Sequence, residues 1–204
     1  MTGERGLDGP GTSIWQGFTV RLRAVEPEDW EYFHRWGGDD VVARATDAVP
    51  FPESRAATRS WTEHEANRER SNDRFRWVMV DADDSPVGTI NTHSCDRLAG
   101  TLSFGLAVAP ERQGEGFASE AIRLVLRYFF DELGYQKVNA HVYAFNGASQ
   151  ALHENLGFVQ EGRLRRMHYA AGRHWDTLVY GMTREEFAAE QAGKLPPMGA
   201  PDQP

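Results

Sequence analysis

The chain reads as an α+β domain: a mixed, mostly antiparallel central sheet with one splayed parallel strand pair, flanked by helices. Three observations predict it. Alternating apolar runs at 75–80, 87–92 and 101–108 follow one another across short polar turns, the pattern of an antiparallel meander. A long helix then leads from a glycine-bearing turn into a further alternating run at 138–143, and a strand reached through a helix lies parallel to the one it left. The runs 158–169 and 173–182 close the chain as a hairpin across Ala170-Ala171-Gly172.

Taken in order, residues 1–17 are rich in glycine and short polar side chains and are expected to form a flexible tail. Phe18, Val20, Leu22 and Ala24 alternate with Thr19, Arg21 and Arg23 as a half-buried strand. Glu26-Pro27-Glu28-Asp29 opens a helix, with Trp30, Phe33 and His34 on one face and Gly37-Gly38 as its stop. Residues 47–52 hold two prolines and read as a loop. Glu53 or Ser54 caps a second helix carrying Ala57, Trp61, His64 and Ala66. The meander follows, with residues 93–100 expected as a connection.

Residues 108–133 organise the chain. Ala118, Ala121, Ile122, Val125, Phe129 and Leu133 recur at helical spacing. Glu120, Arg123, Arg127 and Asp131 fall on the opposite, polar face, and Gly134 is the expected C-terminal cap. Val138, Ala140 and Val142 form the strand beyond, and residues 146–156 a short helix. Thr183-Arg184-Glu185-Glu186 starts a last helix like a capping box. A single domain over residues 18–187 is expected, with a loose tail at 188–204 that includes four prolines.

Composition excludes several classes. The chain has 204 residues, 40% hydrophobic and 25% charged, which suits one globular domain with its own core. Its net charge of −8 argues against non-specific nucleic-acid binding. No apolar stretch is long enough to cross a bilayer, and no membrane partner is expected. One cysteine, Cys95, permits no internal disulfide and fits a reducing compartment, so a cytoplasmic location is expected. The seven histidines are scattered without metal-ligand spacing, and no metal is expected.

Chemistry is expected where the third meander strand meets the long helix. A helix start leaves backbone N–H groups unpaired and carries partial positive charge. Gly114 and Gly116 have no side chain to keep a ligand from that backbone, so the turn suits phosphate groups. The spacing is neither that of a dinucleotide fingerprint nor that of a P-loop. A second motif lies downstream: Asn146-Gly-Ala-Ser149, then Leu152-His153-Glu154-Asn155-Leu156-Gly157-Phe158.

Together, Gly114-x-Gly116-x-Ala118 and Asn146-x-x-Ser149 with Leu156-Gly157-Phe158 resemble the GNAT superfamily of acetyl-CoA-dependent N-acetyltransferases, and within it the Rim-type branch that acetylates protein N-termini. The resemblance spans about residues 18–187 and is strongest over 104–158. It implies the fold above, acetyl-CoA as co-substrate, an amine acceptor, and subunits that pair as a homodimer. It also implies that Gln113, Gly114, Gly116, Phe117, Ala118 and Ser119 donate to the pyrophosphate. The Val108 N–H would meet pantetheine or the thioester carbonyl, and Asn146 the pantetheine amides. Where the family often has Arg or Gln, this chain has Glu111; Arg112, one place along, is expected to supply the positive charge, with Glu115 adding a negative one.

For catalysis the resemblance implies Ser149 as proton donor to the departing thiolate, with His153, four residues on and on the same helical face, at the place of a tyrosine acid. His168 on the closing hairpin is the candidate base, near Arg163, Arg165 and Arg166. Asp176 matches an Asp common in the branch, and His141 is a weaker candidate. Three readings stay open. The acceptor is a protein N-terminus; it is a small amine such as an antibiotic or polyamine; or the chain is an acyl-CoA-binding sensor without turnover, which Glu111 and Glu115 in the anion loop motivate.

Overall fold

The computed structural model describes residues 13–69, 71–190 and 194; of the tails expected at 1–17 and 188–204, residues 1–12 and those past 190 lie outside the described residues, Lys194 apart. β1 (Arg21–Ala24) leads through a 3-10 turn (Pro27–Asp29) into α1 (Trp30–Gly37), α2 (Asp40–Thr46) and α3 (Arg55–Ala66). β2 (Arg76–Val80), β3 (Pro86–Asp96) and β4 (Thr101–Val108) form the meander, and α4 (Phe117–Arg127) crosses to β5 (Lys137–Tyr143). α5 (Gly147–Asn155), the hairpin β6 (Val159–Ala170) and β7 (Arg173–Thr183), and α6 (Arg184–Glu190) complete the chain. The described strands form one sheet in the order β1-β2-β3-β4-β5-β7-β6. Every neighbouring pair is antiparallel except β4 and β5, as the crossover helix requires.

The apolar face of α4 sits on one side of this sheet. Ile122, Leu124, Val125, Leu126, Phe129 and Phe130 are at most 1% exposed and pack with Leu22, Trp77, Met79, Ile90 and Leu102. Each such side chain contributes roughly 1.5–3 kcal/mol of burial. β2 is buried on both faces, because Val78 and Val80 turn the other way and meet Val25, Phe33 and Ala66. Those last two residues belong to α1 and α3, which therefore roof the second face. Asp29 secures α1 to β1. Its buried carboxylate takes both arms of the Arg23 fork at 2.7 and 2.8 Å and the Glu26 N–H at 2.8 Å.

Several expectations change. The ordered domain begins before residue 18: Trp15 packs on Trp77 and Tyr128 at 5.2 and 4.6 Å between ring centroids, and Gln16 bridges to Arg21. The first strand is shorter than 18–24, and Phe18 is 62% exposed. Its neighbours bond a carboxylate instead of a strand, and that carboxylate is Glu120, expected on a solvated face. Glu120 accepts from the N–H groups of Phe18, Thr19 and Val20 and from the Thr19 hydroxyl, at 2.6–2.8 Å, while the buried Arg127 reaches the Ile14 carbonyl at 2.7 Å. The polar stripe of α4 is thus covered by the chain ahead of β1.

The third change is α2, which has no apolar periodicity to reveal it. Asp39 caps it by accepting from the N–H groups of Val41 and Val42. The fourth lies at the end of the long helix, which widens to a π turn over Tyr128–Glu132 before Gly134, at φ +72°, ends it as expected. β3 also outruns its expected end at Thr92 through a bulge between His93 and Asp96, with consequences for the site.

Candidate active site

β4 and β5 pair only over Thr101–Ser103 and Lys137–Asn139, and then part. The direction of the freed backbone follows from the ladder on the other side of β4. Ala109 N–H bonds the Val87 carbonyl, so 109 with 87 is a hydrogen-bonded pair and Val108 with Gly88 is not. The Val108 amide therefore faces the gap. By the same alternation so does that of Leu106, which sequence reasoning missed and whose only signal was its place two residues before Val108.

The gap opens beside the glycine turn. Gly114 and Gly116 have φ of +85° and +91°, a region that side chains disfavour, and a Cβ at either would meet nothing within 4 Å. Gly116 is the N-cap of α4, with no side chain closing the helix start. Among the described residues the N–H groups of 114–119 donate to no carbonyl, and the backbone of 113–116 is exposed. That arrangement accepts an anion. The Gln113 N–H, by contrast, closes on the Pro110 carbonyl at 3.5 Å, and its side chain bonds the Val108 carbonyl at 3.3 Å, so Gln113 shapes the turn.

Arg112 does not stand free for a phosphate. Its guanidinium bonds Glu115 at 2.9 and 3.2 Å and Asp81 at 2.8 Å, two carboxylates that raise its pKa, Glu115 first. The correction works both ways, because Arg112 also offsets the negative charge of Glu115. Arg35 lies 3.7 Å from Glu111 and does the same there.

A cleft of about 830 Å³ runs from the gap across the sheet under α1–α3. Arg76, Thr89, Asn91, His93 and Gly105 line its floor, Trp36 and Trp61 its roof, and Tyr143, Ser149 and His153 its far wall. A second cavity, of about 970 Å³ beside Trp15 and Tyr128, shares no residue with it and lies away from the glycine turn.

On the far wall, Asn146 caps α5. Its Oδ1 accepts from the Ser149 N–H at 3.0 Å and its Nδ2 donates to the Ala45 carbonyl at 3.4 Å, so both ends of the expected pantetheine contact are engaged within the chain. The Ser149 hydroxyl lines the cleft, 3.5 Å from Nδ1 of His153. His153 is 4% exposed and lies between the rings of Phe104 and Tyr180. Its Nδ1 sits 2.7 Å from the Ser149 carbonyl, which only accepts, so Nδ1 carries the proton and Nε2 is a bare lone pair with no partner among the described residues. Burial pushes its pKa down. A neutral ring with its one proton committed to a carbonyl is an acceptor, which corrects the expectation of an acid.

His168 is a second correction. It stacks on Tyr143 at 3.8 Å between centroids and leans on Phe145, one ring behind the cleft lining. Of the arginines near it, Arg163 gives its side chain to Asp176 at 2.6 Å, and Asp176 also takes the Arg166 backbone N–H at 2.9 Å, holding the β6 bulge. The histidine that does reach the cleft is His93, which β3 places opposite Ser103 by running on past Thr92. Burial lowers its pKa; a backbone hydrogen bond with Phe104 opposes this and His141 adds to it. Among the described residues no group of His, Cys, Asp or Glu is arranged to hold a metal ion, and no helix is long and apolar enough to cross a membrane.

Comparison with known proteins agrees with this geometry. Residues 19–159 match the acetyltransferase (GNAT) domain family. The SPbeta prophage-derived uncharacterized N-acetyltransferase YokL of Bacillus subtilis (strain 168) is 45% identical over 175 residues, covering 86% of this chain and 96% of the relative. A spermidine N(1)-acetyltransferase of Vibrio cholerae is 29% identical over 158 residues, 77% of this chain and 88% of its own. The crystal structure of spermidine N-acetyltransferase from Vibrio cholerae in complex with CoA and spermine superposes with a TM-score of 0.71 at 26% identity, covering 83% of this chain and 98% of that one.

Proposed function

Because the chain belongs to the GNAT family of N-acetyltransferases, we propose that it moves the acetyl group of acetyl-CoA to the primary amine of a small molecule. The observation that carries the reading is the meeting of two features: open amides at 114–119 for the diphosphate, and a strand gap beyond Ser103 for the pantetheine arm. Relatives acting on spermidine support a small amine over the protein N-terminus implied by a Rim-type resemblance.

In this scheme the Leu106 and Val108 amides face the thioester along the gap and polarise its carbonyl. His93 takes the proton as the amine nitrogen forms its bond to the carbonyl carbon. The C–S bond then breaks, and the Ser149 hydroxyl hydrogen-bonds the departing thiolate. The His153 Nε2 accepts a hydrogen bond from the cofactor arm.

Purified protein offered acetyl-CoA with small amines, and separately with peptides bearing free N-termini, is expected to release thiol with the small amines. Acetyl-CoA that fails to bind in calorimetry overturns the whole reading. Turnover confined to peptides restores the N-terminal one, and tight binding without turnover of any amine marks a sensor.

The base assignment has its own expected outcome. His93→Gln lowers kcat by about 100-fold, the scale of a lost general base. In the wild type kcat/KM falls with acid only as pH drops through a pKa below the ordinary 6.5, since a base works unprotonated and burial disfavours the imidazolium. An acid limb that persists unchanged in His93→Gln assigns the proton to another group.

A further inference from the structure

Among the described residues, two buried donors in the acceptor half of the cleft find no hydrogen-bond partner. The Trp36 indole is 6% exposed and its Nε1–H bonds nothing. Arg76, on β2, has a buried Nε without a hydrogen bond. Its nearest carboxylate, Glu65, stands 4.0 Å away and is already held by Arg68 at 3.1 Å. One arm of the Arg76 fork reaches the Thr89 hydroxyl at 3.4 Å, and that hydroxyl donates onward to the Trp77 carbonyl. Phe33 stands 5.7 and 5.0 Å from the rings of Trp36 and Trp61, and the guanidinium lies 5.5 Å from the Trp61 ring, so both donors belong to one aromatic wall. A half-buried guanidinium with its Nε enclosed and paired this loosely is costly, and a buried indole N–H left unpaired costs about 1–3 kcal/mol. An anionic group with several oxygens would offer each donor an acceptor.

The carboxylates of the cleft lie elsewhere. Asp47 is close enough to raise the pKa of Tyr143 on β5, at the gap, after burial. Glu53 accepts from the Thr58 hydroxyl at 3.2 Å. Asp47 therefore sets a negative charge beside the gap, opposite the positive charge of Arg76 on β2, two strand spacings or roughly 10 Å from β4. Resting on the acetyltransferase reading above, we propose that the acceptor is an elongated amine carrying an anionic group, carboxylate or phosphate, about 10 Å from its nitrogen, with the anion held by Arg76 and the Trp36 N–H. A polyamine in the same pose sets a second ammonium against Arg76.

The test uses the full chain with acetyl-CoA and four acceptors of equal length: an ω-amino acid, an aminoalkyl phosphate, a diamine and a plain alkylamine. Calorimetric binding to the CoA complex is read alongside thiol release. One of the two anionic acceptors is expected to exceed the diamine by about tenfold or more, chiefly in KM, and which of them leads identifies the anion. Arg76→Gln erases that preference while CoA binding stays unchanged; Arg76→Lys keeps part of it, and Trp36→Phe reduces it with the ring wall intact. A diamine equal to or better than the anionic acceptors, no binding by any of the four, or a preference that survives Arg76→Gln overturns the inference while leaving the acetyltransferase reading in place. Loss of acetyl-CoA binding in the wild type overturns that reading instead.

Discussion

Gly116→Val is expected to weaken acetyl-CoA binding by about 100-fold while costing about 1–3 kcal/mol of stability. The two effects have separate causes. A β-branched residue at φ +91° is strained wherever it sits. Its Cβ would meet no protein atom within 4 Å, so the fold has room for it. That room is where the diphosphate must approach the unpaired amides of 114–119. Gly134→Val is the matched control, because Gly134 has φ +72°, an equally open Cβ and no place in the cleft. Its stability should fall by a similar amount with affinity unchanged. Calorimetry with coenzyme A and thermal melts of both variants decide the matter; Gly116→Val binding as tightly as wild type would remove the cradle.

The largest stability effect is expected at Glu120, a residue whose side chain reaches residues 18–20 and has no place in the cleft. Its carboxylate accepts four hydrogen bonds from residues 18–20, at 2.6–2.8 Å. Glu120→Ala removes all four charge-assisted bonds and leaves the buried Val20 N–H without an acceptor, which should cost about 3–5 kcal/mol. For a chain of this size that lowers Tm by roughly 10 °C. Gly17 fits the same lock, since a Cβ there would stand 2.5 Å from Cδ of Glu120. A melting shift of only a degree or two in Glu120→Ala would show that residues 13–20 are not anchored by this carboxylate.

These two sites divide what a linear reading reveals from what it hides. Gly114 and Gly116 were legible because the evidence is local: a strand, two glycines and an apolar stripe at helical spacing imply an open helix start wherever the segment ends up. The antiparallel meander and the parallel placement of β5 were legible for a similar reason, since short turns and a helical crossover each leave one solution, whereas the insertion of β7 between β5 and β6 was not. α2 was hidden because its signal is a single capping Asp39 ahead of two β-branched valines, which have low helix propensity. Glu120 was misplaced because periodicity separates polar from apolar faces but says nothing of which polar face another segment will cover.

Within the cleft the same boundary holds. The amino-acid sequence by itself determined the sheet, the crossover and the anion-accepting turn, because each follows from backbone preferences and side-chain periods within a few tens of residues. Tertiary structure alone decided that Arg112 is consumed by Glu115 and Asp81, that His153 accepts where an acid was expected, and that His93 reaches the cleft where His168 does not. The physical reason is that a titratable group takes its role from burial and from partners set by strand register. Arg112 and Asp81 are 31 residues apart in the chain, and no local pattern joins them.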